Sequence, residues 1–499
     1  MSNNAIDRRR VVLLGGLAWA ASGLLGEVQA QSAAAPSAGG LPAEVTTHHT
    51  IEFPGRMLRF AATAGAIPLH GDNNAPGAEL AFIAFQLDGA DAMHRPVTFA
   101  FNGGPGFASA WLNIGAVGPW RILLAVDAIA ASALPETIPN AETWLDFTDL
   151  VFIDPAGTGY SRVTDTSERA RRRLFSVEGD IAYLAEAIRR WLDRFDRSLS
   201  PKYLLGESYG GFRVPHIARE LASSQGTGVS GLVLVSPKLD FGDLSVAFNP
   251  LSYVTRLPSM AATARAEQGA VTRAQLNDVE TYATGEYLLD LVRGETDPEA
   301  IARRSARVAA FTGLDPALVR RYHGLISNDV FLHELERARG RVGSIYDGSV
   351  TSLDPFPLEP FSDYPDPVLE NLKAPVSSAM VAMYQNRLNW RPDSAYRLGN
   401  SDVNRAWDWG NHIWNPPQAM TALRSELALD ERMRVLIAHG LFDLLTPYLA
   451  TQLLLDQMPE RAIGDRMRLA TYPGGHMFYM TDGSRAALRD DAARVYGAK

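Results

Sequence analysis

Apolar residues fall into short runs along this chain, and their rhythm changes twice. Between Thr46 and Ala100, the runs His49–Phe53, Arg56–Ala62, Glu79–Leu87 and Pro96–Phe101 are β-like, broken by turn-rich pieces such as His70-Gly71-Asp72-Asn73-Asn74. Fully apolar segments then alternate with helical patterns: Leu150–Ile153 as a strand, Ser176–Phe195 as a helix, Tyr203–Leu205 as a strand, Phe212–Leu221 as a helix and Gly231–Ser236 as a strand. Such alternation predicts a mostly parallel sheet covered by helices on both faces. From about Phe241 to Met420 the pattern becomes largely helical, with segments near Arg273–Arg293, Pro298–Phe311, Ala317–Gly324 and Asp329–Arg339. A proline-rich passage (Asp354–Pro367) and the aromatic group Trp390, Trp407, Trp409 and Trp414 follow. Strand patterns return at Met433–Ala438 and Met467–Tyr472. The expected organisation is an α/β core of residues 46–240 and 421–499, interrupted by a helical cap over 241–420. The Trp group is expected to serve as core packing or as an apolar substrate surface.

Composition narrows the function. The chain has 499 residues, 46% of them hydrophobic, enough for a large core. Its net charge is −9 and basic residues concentrate only at the N-terminus and at Arg169–Arg173, so nucleic acid is not an expected partner. With no cysteine there is no disulfide, thiolate metal site or cysteine nucleophile. No cofactor or metal is expected. At the N-terminus, Arg8-Arg9-Arg10 precedes the apolar stretch Val11–Leu25 and the small-residue ending Val28-Gln29-Ala30. These features read as a signal peptide over 1–30, of twin-arginine type, followed by a flexible leader over 31–45. The apolar stretch is too short to span a bilayer, so export to the periplasm or outside, without a stable membrane anchor, is expected.

One stretch carries the chemistry. Gly206-Glu207-Ser208-Tyr209-Gly210 follows an apolar strand and precedes a helix, the G-x-S-x-G arrangement that holds a serine Oγ exposed on a strained turn. A serine hydroxyl is a poor nucleophile unless an oriented base takes its proton. Asp443, in His439-Gly440-Leu441-Phe442-Asp443, lies just past one late strand; His476, in Pro473-Gly474-Gly475-His476-Met477, lies just past the next. Each sits where open α/β sheets place their sites. Alone, Asp443 reads as a helix cap and His476 as a loop histidine; their order after Ser208 makes the three a candidate triad. His439 precedes the turn and is expected to pack beneath it. The glycine-rich loop Asn102-Gly103-Gly104-Pro105-Gly106 can present backbone N–H groups to a developing oxyanion, together with the N–H of Tyr209.

Asn102–Gly106, Asp154-Pro-Ala-Gly-Thr-Gly-Tyr-Ser161 and Gly206–Gly211, with Asp443 and His476, together resemble the serine carboxypeptidase family. The likeness runs from about residue 50 to the C-terminus and includes Thr312-Gly-Leu-Asp-Pro316. It implies an α/β-hydrolase fold, here in an exported bacterial member, and removal of single residues from peptide C-termini. By that likeness Ser208, Asp443 and His476 form the triad, Gly104 and Tyr209 supply the oxyanion hole, and Asp154–Ser161 lines the site. Asn102 and Glu207 would bind the substrate's terminal carboxylate. The family's second glutamate, paired with the first, stands before a Gly-Pro run; here Ala116 precedes Val117-Gly118-Pro119. Its loss implies a weaker or higher-pH preference for free C-termini. Phe107 stands where relatives often have cysteine. An esterase or acyltransferase on the same scaffold is the competing expectation, and a non-catalytic binding protein a third.

Overall fold

The computed structural model describes residues 40–70, 76–123, 130–242, 248–359, 364–410, 416–459 and 464–498. The signal segment, most of the leader, Gly71–Asn74 and Trp414 lie outside these residues. Among the described residues the main sheet has ten strands, nine of them on one path: β1 (Val45–Phe53), β2 (Arg56–His70), β3 (Pro76–Leu87), β4 (Val97–Phe101), β5 (Asp149–Ile153), β6 (Lys202–Glu207), β7 (Gly231–Val235), β8 (Arg434–Gly440) and β9 (Met467–Tyr472). Their spatial order is β1-β2-β3-β5-β4-β6-β7-β8-β9, and Arg162–Val163 pairs with β3 off this path. The pairs β1/β2, β2/β3 and β3/β5 are antiparallel. Every neighbouring pair from β5 to β9 is parallel.

The burial pattern explains that division. All residues of β4, β5, β6 and β7 are buried, as expected of strands covered on both faces, whereas β1 alternates with one face in solvent. Leu204 and Leu205 of β6 are wholly buried, and each contributes about 2 kcal/mol through the apolar surface it removes from water. Helix α1 (Val177–Arg194) starts at Ser176, whose side chain accepts from Gly179 N, and it packs Leu184, Ile188 and Trp191 onto the sheet. Helix α2 (Tyr209–Ser224) leaves directly from the end of β6.

Between β7 and β8 the chain passes through helices including Pro250–Ala266, Pro298–Thr312 and Leu369–Ala382. The segment predicted as one helix over 273–293 is a succession of 3₁₀, α and π turns. The aromatic group predicted in this region separates into two. Trp390 is wholly buried against Tyr160 and Tyr384, while Trp407 and Trp409 pack edge-on against Tyr209.

The end of the expected leader is docked rather than loose. Trp390 Nε1 donates to the carbonyl of Ala43 at 3.1 Å, Glu44 pairs with Arg194 at 2.8 Å, and Val45 already belongs to β1. A flexible reading from composition misses these partners because they arise far along the chain. No helix among the described residues is long and apolar enough to cross a membrane.

Candidate active site

Strand β6 delivers Ser208 into a turn with φ 58° and ψ −122°, a conformation that L residues rarely adopt. Its amide donates to Val235 O at 2.9 Å and its carbonyl accepts from Gly211 N at 2.9 Å. The turn needs its glycines. A Cβ on Gly206 would lie 2.1 Å from Gly210 O, and one on Gly210 would lie 2.4 Å from Phe101 O. The glycine-rich loop after β4 presses against the same turn: a Cβ on Gly103 would lie 2.5 Å from Tyr209 N and 2.9 Å from Ser208 Cβ. The expected oxyanion donors, Gly104 and Tyr209, therefore sit on two backbone segments in van der Waals contact.

His476 and Asp443 come from the loops after β9 and β8. The imidazole Nδ1 is 2.8 Å from Asp443 Oδ2, and both groups are buried. Asp443 Oδ1 accepts from Leu445 N and Thr446 N, each at 2.9 Å, and Thr446 Oγ1 donates to Oδ2 at 2.7 Å. Nε2 of His476 has no hydrogen-bond partner among the described residues, and His476 lines one cavity with Ser208. Burial pulls the imidazole pKa down, but the Asp443 carboxylate, its hydrogen bond and the Glu207 charge outweigh it, so the pKa is raised. A serine–histidine hydrogen bond is absent; such bonds are often long in unliganded sites and tighten around substrate.

Glu207 and Asn102 form a second cluster on this cavity. Asn102 Oδ1 accepts from Leu112 N at 3.1 Å, which turns its Nδ2 toward Glu207 Oε2. Glu207 Oε1 accepts from the phenol of Tyr479 at 2.5 Å. Burial raises the Glu207 pKa against the opposing pull of His476, Tyr479 and Asn102. Ala116 is buried in the π turn Asn113–Val117, and it is Tyr479, stacked over neighbouring Gly115, that meets the carboxyl.

The cavity measures about 60 Å³ and is walled by Phe107, Trp111, Tyr346 and Leu369 among others. That is far below the roughly 300–1,000 Å³ of sites holding a small-molecule ligand. Trp390, Trp407 and Trp409 do not line it; Trp111 does.

Four features escape sequence reading. Tyr479 comes from the turn beyond the histidine loop. Thr446, three residues past Asp443, binds both Asp443 and, at 3.1 Å, His476 Nδ1. Tyr346, from the helical insert, accepts from His476 N through its carbonyl at 2.5 Å, and its ring stands edge-on to the imidazole with centroids 5.5 Å apart. Beneath the glycine loop, Arg213 donates to Asn102 O and to Asp180, each at 2.6 Å, with all three wholly buried. An arginine five residues past the serine is a visible signal; the tyrosines carry none. His439 packs under the turn as expected, with Nε2 2.9 Å from Thr451 Oγ1, and burial lowers its pKa to about 4.

Asp154–Ser161, expected to line the site, does not touch the cavity. Its turn is tied instead to residues just before the Ser401–Arg405 helix: Gly159 N donates to Arg397 O at 2.7 Å and Asn400 Nδ2 to Gly157 O at 2.8 Å. Asp154 Oδ1 accepts from Ser109 N at 2.8 Å, and burial, opposed by the backbone bonds of Ser109 and Tyr160, raises its pKa to about 7. A carboxyl with a raised folded pKa favours the fold below its unfolded pKa, about 3.9, and loses that contribution as pH climbs through 7. Asp154→Asn is therefore expected to raise the melting temperature by a few degrees at pH 8 and hardly at pH 4, as calorimetry would read.

Residues 57–286 match the family model described as serine carboxypeptidase. The chain is 31% identical over 151 residues to the pheromone-processing carboxypeptidase KEX1 of Yarrowia lipolytica, covering 29% of this chain and 22% of that protein. It is 29% identical over 129 residues to serine carboxypeptidase-like 5 of Arabidopsis thaliana, covering 26% and 28%. These alignments span less than a third of either relative's length. The solved structure of the prohormone-processing carboxypeptidase KEX1(delta)p from Saccharomyces cerevisiae superposes with a TM-score of 0.56 at 16% identity, covering 88% of this chain and 91% of that one. The shared architecture is the α/β-hydrolase fold.

Proposed function

We propose that this chain is a serine-type carboxypeptidase, hydrolysing C-terminal residues of peptides through an acyl-enzyme on Ser208. The observation that carries the reading is the buried His476–Asp443 pair, whose unpartnered Nε2 shares a cavity with Ser208. In the reaction, Nε2 takes the Oγ proton as Oγ attacks the scissile carbonyl, and the N–H groups of Gly104 and Tyr209 receive the oxyanion. The imidazolium then protonates the leaving amine; water, deprotonated by the same nitrogen, releases the acyl group. Asn102 and Glu207 take the terminal carboxylate.

The core over 46–240 and 421–499 carries the chemistry, and 241–420 serves as a cap over it. Export as a bacterial enzyme, through the signal over 1–30, rests on the Arg8–Arg10 and Val11–Leu25 pattern. Ala116 keeps an esterase or acyltransferase reading in play, since it removes the acid expected opposite Glu207.

A panel of N-blocked dipeptides with free and amidated C-termini, and of short-chain esters, measured from pH 4 to pH 9, tests this. The expected result is a kcat/KM favouring free termini at the acid end of the range, which replaces the higher-pH preference expected from the sequence: the partner of Glu207 is the Tyr479 phenol, and its donated bond favours the ionised carboxylate. Ester turnover, which needs only neutral His476, should rise with pH through a midpoint above the ordinary imidazole value. Ester activity without peptide activity at any pH would replace carboxypeptidase by esterase. A fluorophosphonate probe that fails to label Ser208 would remove both.

A further inference from the structure

We propose that Tyr479 is a specificity-determining positioning residue: its phenol fixes Glu207 Oε1 as an acceptor, so that recognition of a free carboxylate depends on a single proton on Oε2. The inference rests on the carboxypeptidase reading and deepens it.

Three observations carry it. Glu207 is buried on the cavity wall, directly before the nucleophile, and both of its oxygens meet donors: Tyr479 OH on Oε1 and Asn102 Nδ2 on Oε2. The Asn102 amide cannot turn round, because its oxygen accepts from Leu112 N. The same amide also hydrogen-bonds the Tyr479 phenol, so Asn102, Tyr479 and Glu207 form one connected cluster. Tyr479 is itself wholly buried and held against Gly115, where a Cβ would lie 3.2 Å from its ring.

An ionised Glu207 repels a substrate carboxylate, whereas a protonated one donates to it. A pair of acids can share one proton, and their mutual repulsion retains it. A phenol keeps its own proton throughout this range and, by donating to Oε1, favours the ionised form. The other groups facing Glu207 are His476, Asp443 and Tyr346. A charged His476 also favours ionisation of Glu207, and Asp443 opposes it. Tyr346 feels the Glu207 charge but remains a neutral phenol.

The test is the pH at which the preference for free over amidated dipeptides, as a ratio of kcat/KM, falls by half. In Tyr479→Phe, which removes only the donor, Glu207 keeps its proton to higher pH, and this midpoint should move upward by about one unit. In Glu207→Gln the ratio should lose its pH dependence. A second measurement does not need Tyr479→Phe to fold. In Ser208→Ala enzyme, at a pH well above the wild-type midpoint, binding of an N-acetylated amino acid, followed by calorimetry in buffers of different ionisation enthalpy, should take up a proton. With Glu207→Gln added, uptake should vanish. An unmoved or lowered midpoint, or binding without proton uptake, overturns the proposal while leaving the carboxypeptidase reading intact. No preference for free termini at any pH overturns both.

Discussion

Ser208→Ala should lower kcat by about 10⁴- to 10⁶-fold on every substrate the enzyme turns over, since it removes the atom that becomes acylated. The residual rate would come from binding and from the amides of Gly104 and Tyr209. Stability should move the other way in Ser208→Gly. The backbone at 208 sits at φ 58° and ψ −122°, which costs an L residue about 1–3 kcal/mol and glycine much less. The glycine variant should therefore be inactive yet more resistant to denaturant by about 1 kcal/mol, after allowing for its greater freedom when unfolded. Chemical denaturation of wild type, Ser208→Ala and Ser208→Gly measures this directly. Equal midpoints for all three would mean that the turn stores no strain.

Asp443→Asn carries the second large expected effect, about 10⁴-fold in kcat, and the surrounding bonds dictate its mechanism. Oδ1 is held by two backbone N–H donors, from Leu445 and Thr446. An asparagine must place its carbonyl oxygen there, which leaves its NH₂ where Oδ2 faces His476 Nδ1. An NH₂ cannot accept a proton, so Nδ1 becomes the acceptor and the imidazole carries its proton on Nε2, toward Ser208. The base is then present in the wrong tautomer. Kinetics at high pH should recover part of the loss, because hydroxide can take the proton directly. Loss of less than tenfold would show that Asp443 only caps its loop.

The legibility of this chain follows the reach of its interactions. Ser208, Asp443 and His476 each stand immediately after an apolar strand, so an ordered sheet brings them together almost regardless of detail. The sheet was readable for the same reason: β4 to β7 are buried runs bounded by glycine, proline and polar turns. Tyr479 and Tyr346 lie 272 and 138 positions from Glu207 and Ser208 and reach the site only through loop geometry. No periodicity or motif marks such residues. The Trp residues misled by proximity: Trp390 and Trp407 are close in sequence, yet one packs on Tyr160 and the other on Tyr209. Asp154–Ser161 was expected at the site only from the family likeness, and its turn binds Arg397 and Asn400.

On the carboxypeptidase reading, the bond from His476 N to the Tyr346 carbonyl constrains how a peptide would enter and leave. Residues around Tyr346 are also laced to the aspartate loop, through Gly348 N to Phe442 O and Leu444 N to Ile345 O. Swinging that segment outward would drag the imidazole off line, so on that reading the passage for chain ends would open along the rest of the cavity lining, which includes Phe107, Trp111 and Leu369. A trimmed peptide and the amino acid cut from it would then share one doorway. The freed residue must depart before the shortened chain can advance, which favours release after each cut over continuous nibbling along one captive strand.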